Sequence, residues 1–115
     1  MVVRLLERSQ SKHTITGIFE RILSGHYQLW LAYSSNNLDG IALSNIESWD
    51  NGTKTLFVEG CAGKSAQIHI EQAMQSIEAY ARDNGCADIN VIGRKGWVKL
   101  LPAYALTHVT LRKIL

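Results

Sequence analysis

The residues with the most chemical potential lie together between positions 58 and 70, in the stretch VEGCAGKSAQIHI. Two glycines and a lysine there separate a predicted strand from a predicted helix, and such joints often bind phosphates because backbone N–H groups converge at a helix N-terminus. Gly63, Lys64 and Ser65 match the end of the P-loop pattern G-x-x-x-x-G-K-[ST]. The pattern requires glycine where this chain has Val58, which excludes a P-loop. A simpler backbone site for a pyrophosphate is still possible, and Lys64 could add a charge to it.

Two other side chains of this stretch could take part in catalysis. Glu59 ends the predicted strand, where a carboxylate can act as a general base directly or through water. The alternative is an ordinary solvated carboxylate. Cys61 could be a thiolate activated by the helix N-terminus, with His69 as its base. Because no third residue would orient that pair, we favour a small loop cysteine and an exposed helical histidine.

The other side chains that commonly bind metals are scattered. His13, His26 and His108 are far apart, and no two histidines have the i, i+4 spacing of a helical metal site. Cys61 and Cys86 do not form a CxxC pair, which argues against zinc and favours a reduced, cytosolic compartment. We therefore predict no metal site.

Length and composition favour one globular domain spanning residues 1–115. The chain has 46% hydrophobic and 19% charged residues, and its net charge is +2. The local basic cluster of Arg94, Lys95 and Lys99 is best explained as a solvated helix face, so a nucleic-acid partner is not expected. The N-terminal stretch MVVRLLERSQSKH has too short an apolar run for a signal peptide or a membrane span.

Apolar spacing and turn residues predict the order helix, three strands, long helix, strand, short helix, strand. Ile15 begins an apolar pattern at i, i+3, i+4, i+7 and i+8, and Gly25 follows as a helix C-cap. Asp50, Asn51 and Gly52 are a strong hairpin signal. The predicted helices span residues 11–24 and 65–84, and residues 93–105 are predicted to be a short helix or turn limited by Pro102. The predicted strands span 27–33, 41–49, 53–59, 87–92 and 107–115.

The unit strand, long helix, strand is a crossover, so strands 53–59 and 87–92 should be parallel. The other neighbours should be antiparallel. The sequence therefore predicts an α+β fold in which one long and two shorter helices pack on a mixed sheet with a central parallel pair.

This element order resembles the GNAT family of N-acetyltransferases, from about residue 11 to residue 115. In that family the loop before the long helix holds the pyrophosphate of acetyl-CoA and usually has the pattern Q/R-x-x-G-x-G/A. Aligning its first glycine with Gly63 places Gly60 at the Gln/Arg position and Ser65 at the last position. The resemblance implies that acetyl-CoA, if it is used, binds at Cys61, Ala62, Gly63, Lys64, Ser65 and Ala66.

A second family pattern, N-x-x-A-x-x-x-Y-x-x-x-G-F, follows the second strand of the parallel pair. Its positions fall without gaps at Arg94, Trp97, Leu101, Ala105 and Leu106. Leu101 therefore stands where the family places a tyrosine that protonates the CoA thiolate, and a leucine cannot donate a proton. Tyr104, three residues later, is the nearest substitute.

A narrower resemblance comes from Gly85-Cys86 and from the G-R-x-G-W segment that starts at Gly93. This pattern is similar to that of small GNAT-like proteins encoded by tailed bacteriophages. It implies a protein without efficient acetyl transfer and with no cofactor. Such a protein would bind other phage structural proteins or itself, as a virion or assembly component, in the virion or in the bacterial host cytoplasm.

The alternative is an active N-acetyltransferase dependent on acetyl-CoA. In it, Gly63 to Ala66 would hold acetyl-CoA and Glu59 would deprotonate an amine, while water or Tyr104 would protonate the thiolate. A third hypothesis is a small regulator of a host protein.

Overall fold

The computed structural model describes residues 13–63, 66–93 and 97–115, except for the side chains of residues 66–69 and 98. The predicted start of the first helix, at residues 11 and 12, lies outside these ranges. The described elements are α1 (Ile15–Leu23), β1 (Gln28–Ser34), β2 (Asn37–Ser48), β3 (Lys54–Gly63), α2 (Ala66–Asp83), β4 (Asp88–Val91) and α3 (Trp97–Leu100).

The four strands form one mixed sheet in the order β1-β2-β3-β4. β1, β2 and β3 are antiparallel neighbours, whereas β4 is parallel to β3. This confirms the predicted parallel pair and the α+β class. The β1–β2 turn consists of Ser35 and Asn36, which both have positive φ (49° and 69°), as a tight two-residue hairpin requires.

α1 begins later than predicted, because Thr14 is extended and Ile15 is the first helical residue, whereas α1 and α2 both end before a glycine, as predicted. The Thr14 side chain accepts a hydrogen bond from the Gly17 N–H at 3.0 Å and so caps α1, and Gly25 follows α1 with φ of 83°. After α2, Gly85 has φ of 75° and the Cys86 N–H donates to the Ala81 carbonyl, which is the bond of a Schellman motif.

The sheet lies between two apolar clusters, one on each of its faces. α2 and α3 cover one face, and α1 covers the other. The α2-side cluster contains Leu56, Val58, Ile70, Met74, Ile77, Ala81 and Leu101. The α1-side cluster contains Ile18, Tyr27, Ile41, Leu43 and Ala62. Trp97 and Leu100 pack against the α2-side cluster, as their spacing with Leu101 predicts.

Three predictions about the strands are wrong. β2 begins at Asn37 and not at about residue 41, because its first residues pair with the end of β1. β3 runs to Gly63 instead of ending at Glu59, because its last residues pair with β2. The strand predicted over 107–115 does not form, and these residues are exposed because no described strand of the chain pairs with them. The segment predicted as a short helix or turn over 93–105 agrees with the structure where it is described, being helical at Trp97–Leu100 and a turn after it; residues 94–96 are outside the described ranges.

Candidate functional site

The two central strands part halfway along β3. β4 pairs with β3 over four positions, from Thr55 opposite Asp88 to Val58 opposite Val91. Just beyond them, the Ile92 N–H donates to the Val58 carbonyl at 2.9 Å. β3 then continues for five more residues paired with β2 alone. Within the described ranges no strand covers this side of β3, so alternate backbone groups are left open to a ligand.

A β-bulge lies at the point where the strands part. Leu43 of β2 lies opposite Gly60, whereas the next residue, Ser44, lies opposite Val58. Glu59 is therefore the extra residue in β3. A bulge bends its strand and re-aims nearby side chains, and bulges are common beside binding sites.

The bulge changes which face of the sheet each later residue occupies. Before it, Leu56 and Val58 belong to the α2-side cluster. After it, the odd-numbered Cys61 packs on that cluster while Ala62 belongs to the α1-side cluster. In an unbroken strand these two residues would exchange faces.

Glu59 is half-buried on the α1 side of the sheet. Its negative charge affects the pKa of the Tyr27 hydroxyl. Burial raises this pKa most, the Glu59 and Glu47 carboxylates raise it further, and the positive charge of Arg21 lowers it. The tyrosine therefore stays protonated and can donate a hydrogen bond. Glu59, at the break in the sheet, is thus electrostatically coupled to a protonated phenol, and a carboxylate at this position can accept a proton.

Cys61 lies in β3, and this corrects the prediction of a loop cysteine. Burial raises the pKa of its thiol from 9.0 to about 11. The thiol is therefore protonated at neutral pH, which argues against an activated thiolate. The side chain of His69 lies outside the described part of the chain, so the proposed cysteine–histidine pair is not tested.

The residues predicted to hold the pyrophosphate lie only partly in a loop. Cys61, Ala62 and Gly63 belong to β3, and Ala66 begins α2. Lys64 and Ser65 lie outside the described ranges.

Gly63, the one clear match to the GNAT loop pattern, is required by strand packing. A Cβ atom there would collide with the Asp39 carbonyl oxygen and approach the Gly40 Cα to 2.8 Å. This glycine thus allows β2 and β3 to approach each other, whatever the loop binds.

The two positions considered for the acid after α3, Leu101 and Tyr104, provide no free proton donor. Leu101 is buried in the α2-side cluster. Tyr104 hydrogen-bonds to Glu78 of α2, and burial, the Glu78 charge and this bond raise the pKa of Tyr104 to about 12. Such a phenol is a weak acid at neutral pH, and its proton is already shared with a carboxylate. The catalytic role predicted for Tyr104 stays untested.

Sequence reasoning missed the bulge, together with Tyr27 and Glu47. The signal for the bulge was Gly60, because an isolated glycine inside a strand pattern often marks one. Glu59 and Glu47 act on Tyr27 only because the strands pair, which a local pattern does not predict.

The described residues contain no group of three or more histidine, cysteine or acidic side chains suited to a metal ion. Among those residues there is also no helix with the length and apolar composition needed to cross a bilayer.

Solved structures of acetyltransferases share this fold. An aminoglycoside acetyltransferase from an uncultured soil metagenomic sample, in complex with trehalose, superposes with a TM-score of 0.72 at 12% identity, covering 98% of this chain and 85% of the other. A Thermus thermophilus protein gives 0.68 at 21% identity, covering 98% and 88%. A GNAT family acetyltransferase from Staphylococcus aureus gives 0.67 at 11% identity, covering 99% and 87%.

No protein-family model matches the sequence, and no curated protein is significantly similar to it. The solved structures show that the chain has a GNAT-like fold. At sequence identities of 11% to 21%, the similarity concerns the fold alone.

Proposed function

We propose that this protein binds acetyl-CoA and transfers its acetyl group to an amine. The observation that carries the proposal is the parting of β3 and β4 at the Glu59 bulge. This parting leaves the edge of β3 unpaired next to the Glu59 carboxylate. The acetyltransferase neighbours share the fold in which this parting occurs.

The open edge of β3 fits an acyl-CoA molecule in two respects. The backbone groups from Glu59 to Gly63 that point away from β2 can bind the amides of an extended ligand, as an edge strand binds a peptide. Directly beyond them, Lys64 and the N-terminus of α2 can bind phosphate, since a helix N-terminus attracts anions. When bound, acetyl-CoA supplies an acetyl group activated as a thioester.

The chain itself would contribute positioning and one proton transfer. Glu59 accepts a proton from the amine directly or through water, and the protonated Tyr27 hydroxyl can help to orient the amine. Water protonates the leaving thiolate, because Leu101 has no proton to donate and the Tyr104 hydroxyl is bound to Glu78.

The second candidate is the non-catalytic binding protein that the sequence favoured. The buried Leu101 and the engaged Tyr104 support it, because neither of them is free to protonate the thiolate. This candidate predicts binding without turnover, or no binding. A role in phage virions stays a prediction: Arg94, Lys95 and Gly96 of its sequence pattern lie outside the described ranges, and no comparison tests it.

Binding is tested by titrating the protein with acetyl-CoA in a calorimeter. Lys64→Glu reverses the charge beside the expected phosphates and should weaken binding by about 10- to 100-fold. Lys54→Glu is the matched control, since Lys54 is exposed at the other end of β3 and should have little effect. Gly63→Glu is unsuitable because any side chain there would disturb the β2–β3 pairing.

Turnover is tested by following release of the free CoA thiol in the presence of a panel of primary amines. Glu59→Gln keeps the shape of the side chain and should lower kcat/KM by about 100-fold or more. Glu47→Gln, which also removes a carboxylate near Tyr27, should stay within about threefold of the unchanged protein. Binding without any turnover would favour the second candidate, and no saturable binding would refute the proposal.

A further inference from the structure

Residues 105–115, here called segment 105–115, carry apolar side chains that no described residue covers. Val109 is 75% exposed and Leu111 91% exposed, and Leu106, Ile114 and Leu115 are similarly open. Val109 and Leu111 alternate with polar residues, and the stretch is rich in β-branched side chains, a pattern typical of a half-buried strand. The segment therefore has the sequence of a strand without a strand partner among the described residues.

β4 offers a matching partner surface. It is an edge strand that pairs with β3 on one side only. Ile89 and Val91 are partly buried against the α2-side cluster, and Ile92 just beyond them is 53% exposed. An open edge of this kind can accept another strand through its free backbone groups.

One antiparallel register between segment 105–115 and β4 matches their side chains on both faces of the sheet. If Leu111 lies opposite Ile89, Val109 lies opposite Val91, and directly opposed residues in an antiparallel pair share a face. These four apolar side chains then extend the α2-side cluster.

The same register matches charge on the other face of the sheet. It places Arg112 opposite Asp88 and Thr110 opposite Asn90. Asp88 is on that face because its carboxylate accepts a hydrogen bond from the Thr55 hydroxyl. A shift of one residue would turn Val109 and Leu111 away from the cluster and separate the charged pair.

We propose that segment 105–115 of each chain adds as an antiparallel strand to β4 of a second copy, so that two chains exchange segments. The chain leaves the domain after Tyr104, which is fixed by its bonds to Glu78 and to the Leu101 carbonyl, and the segment then extends clear of its own sheet. Each copy has one such segment and one open β4 edge. A two-fold exchange covers both the segment and the β4 edge of each copy, whereas an unrelated partner would leave either the segment or the edge uncovered.

The first test is the oligomeric state, measured by light scattering after gel filtration at 10 to 100 µM (roughly the range of moderate affinities). The unchanged protein should have twice the mass of one chain. Leu111→Asp should shift the protein to the monomer, weakening the dimer by about 10- to 100-fold, and should remain folded by circular dichroism. Leu23→Asp makes the same change at a side chain that is 87% exposed at the end of α1, and it should remain dimeric. A monomeric unchanged protein would overturn the proposal.

The second test distinguishes exchange from pairing within one chain. In a Cys61→Ala, Cys86→Ser background, chains carrying Thr110→Cys are mixed with chains carrying Asn90→Cys and oxidised. Exchange predicts a disulfide-linked dimer, and Asn51→Cys in the β2–β3 turn should give none with the same partner. If mixed chains do not cross-link, the proposal is wrong, and an internal disulfide in the double variant would show pairing within one chain instead.

Discussion

A buried hydroxyl beside the bulge makes a specific prediction about the stability of the sheet. Ser44 is fully buried and lies opposite Val58, next to the extra residue of β3. Its hydroxyl accepts a hydrogen bond from the Trp30 indole N–H at 2.8 Å and donates one to the Gln28 side-chain oxygen at 2.9 Å. One oxygen thus links two side chains of β1 to β2, under the face covered by α2.

Replacing Ser44 with alanine removes both bonds and leaves the Trp30 N–H without its acceptor. Each such bond contributes about 1 kcal/mol net, and a donor left unpaired in a part-buried site costs about 1–3 kcal/mol. Because Gln28 is only half-buried and can bind water instead, we expect a loss of about 1–3 kcal/mol in the free energy of unfolding. A chain of this length would then melt several degrees lower.

The assay is urea unfolding followed by far-ultraviolet circular dichroism. Ser48→Ala is the control, because this serine is exposed at the end of the same strand and its loss should change stability by less than about 0.5 kcal/mol. A double-mutant cycle with Trp30→Phe should give a coupling of about 1 kcal/mol. If Ser44→Ala is as stable as the Ser48→Ala control, or if the coupling is zero, the bonds do not contribute as argued.

Two further predictions follow from close contacts and burial. Gly93→Ala should destabilise the fold by about 1–3 kcal/mol, because a Cβ atom there would lie 2.7 Å from the Trp97 ring. Thermal unfolding measures the loss, and an unchanged melting temperature would contradict this packing. Cys61 should react with iodoacetamide about 100-fold more slowly than a free thiol below pH 9, since its raised pKa leaves that much less thiolate. Because this pKa is higher in the folded state, the stability it contributes is present below pH 9 and is lost as the pH rises from 9 to about 11, an effect that Cys61→Ala should abolish.

The sequence predicts the elements whose signals are local. Helix α1 has an apolar stripe between a threonine cap and Gly25, and Gly52 has the positive φ that its turn requires. The parallel pairing of β3 with β4 follows from the length of the crossover between them. In each case the deciding information lies within a few residues or within one connection.

The errors arise where pairing between distant residues decides the structure. Gly60 and Gly63 resemble loop residues, yet both lie in β3, because Leu43 and Gly40 of β2 pair with them. The strand predicted from Thr107 onward has strong local propensity but pairs with no described strand of its own chain. Strand propensity measures how well a residue fits a pleated surface, so it does not show whether a neighbouring strand is present to pair with.

The bulge connects the fold to the candidate site. β3 must fill two apolar clusters, because Val58 belongs to the α2 side and Ala62 to the α1 side, although both have even numbers. A regular strand would place both on one face. The extra residue, Glu59, resolves this conflict at the position where β4 ends. The same insertion that keeps both clusters packed therefore also puts the Glu59 carboxylate beside the open strand edge, so this carboxylate is positioned by the sheet and not by a loop.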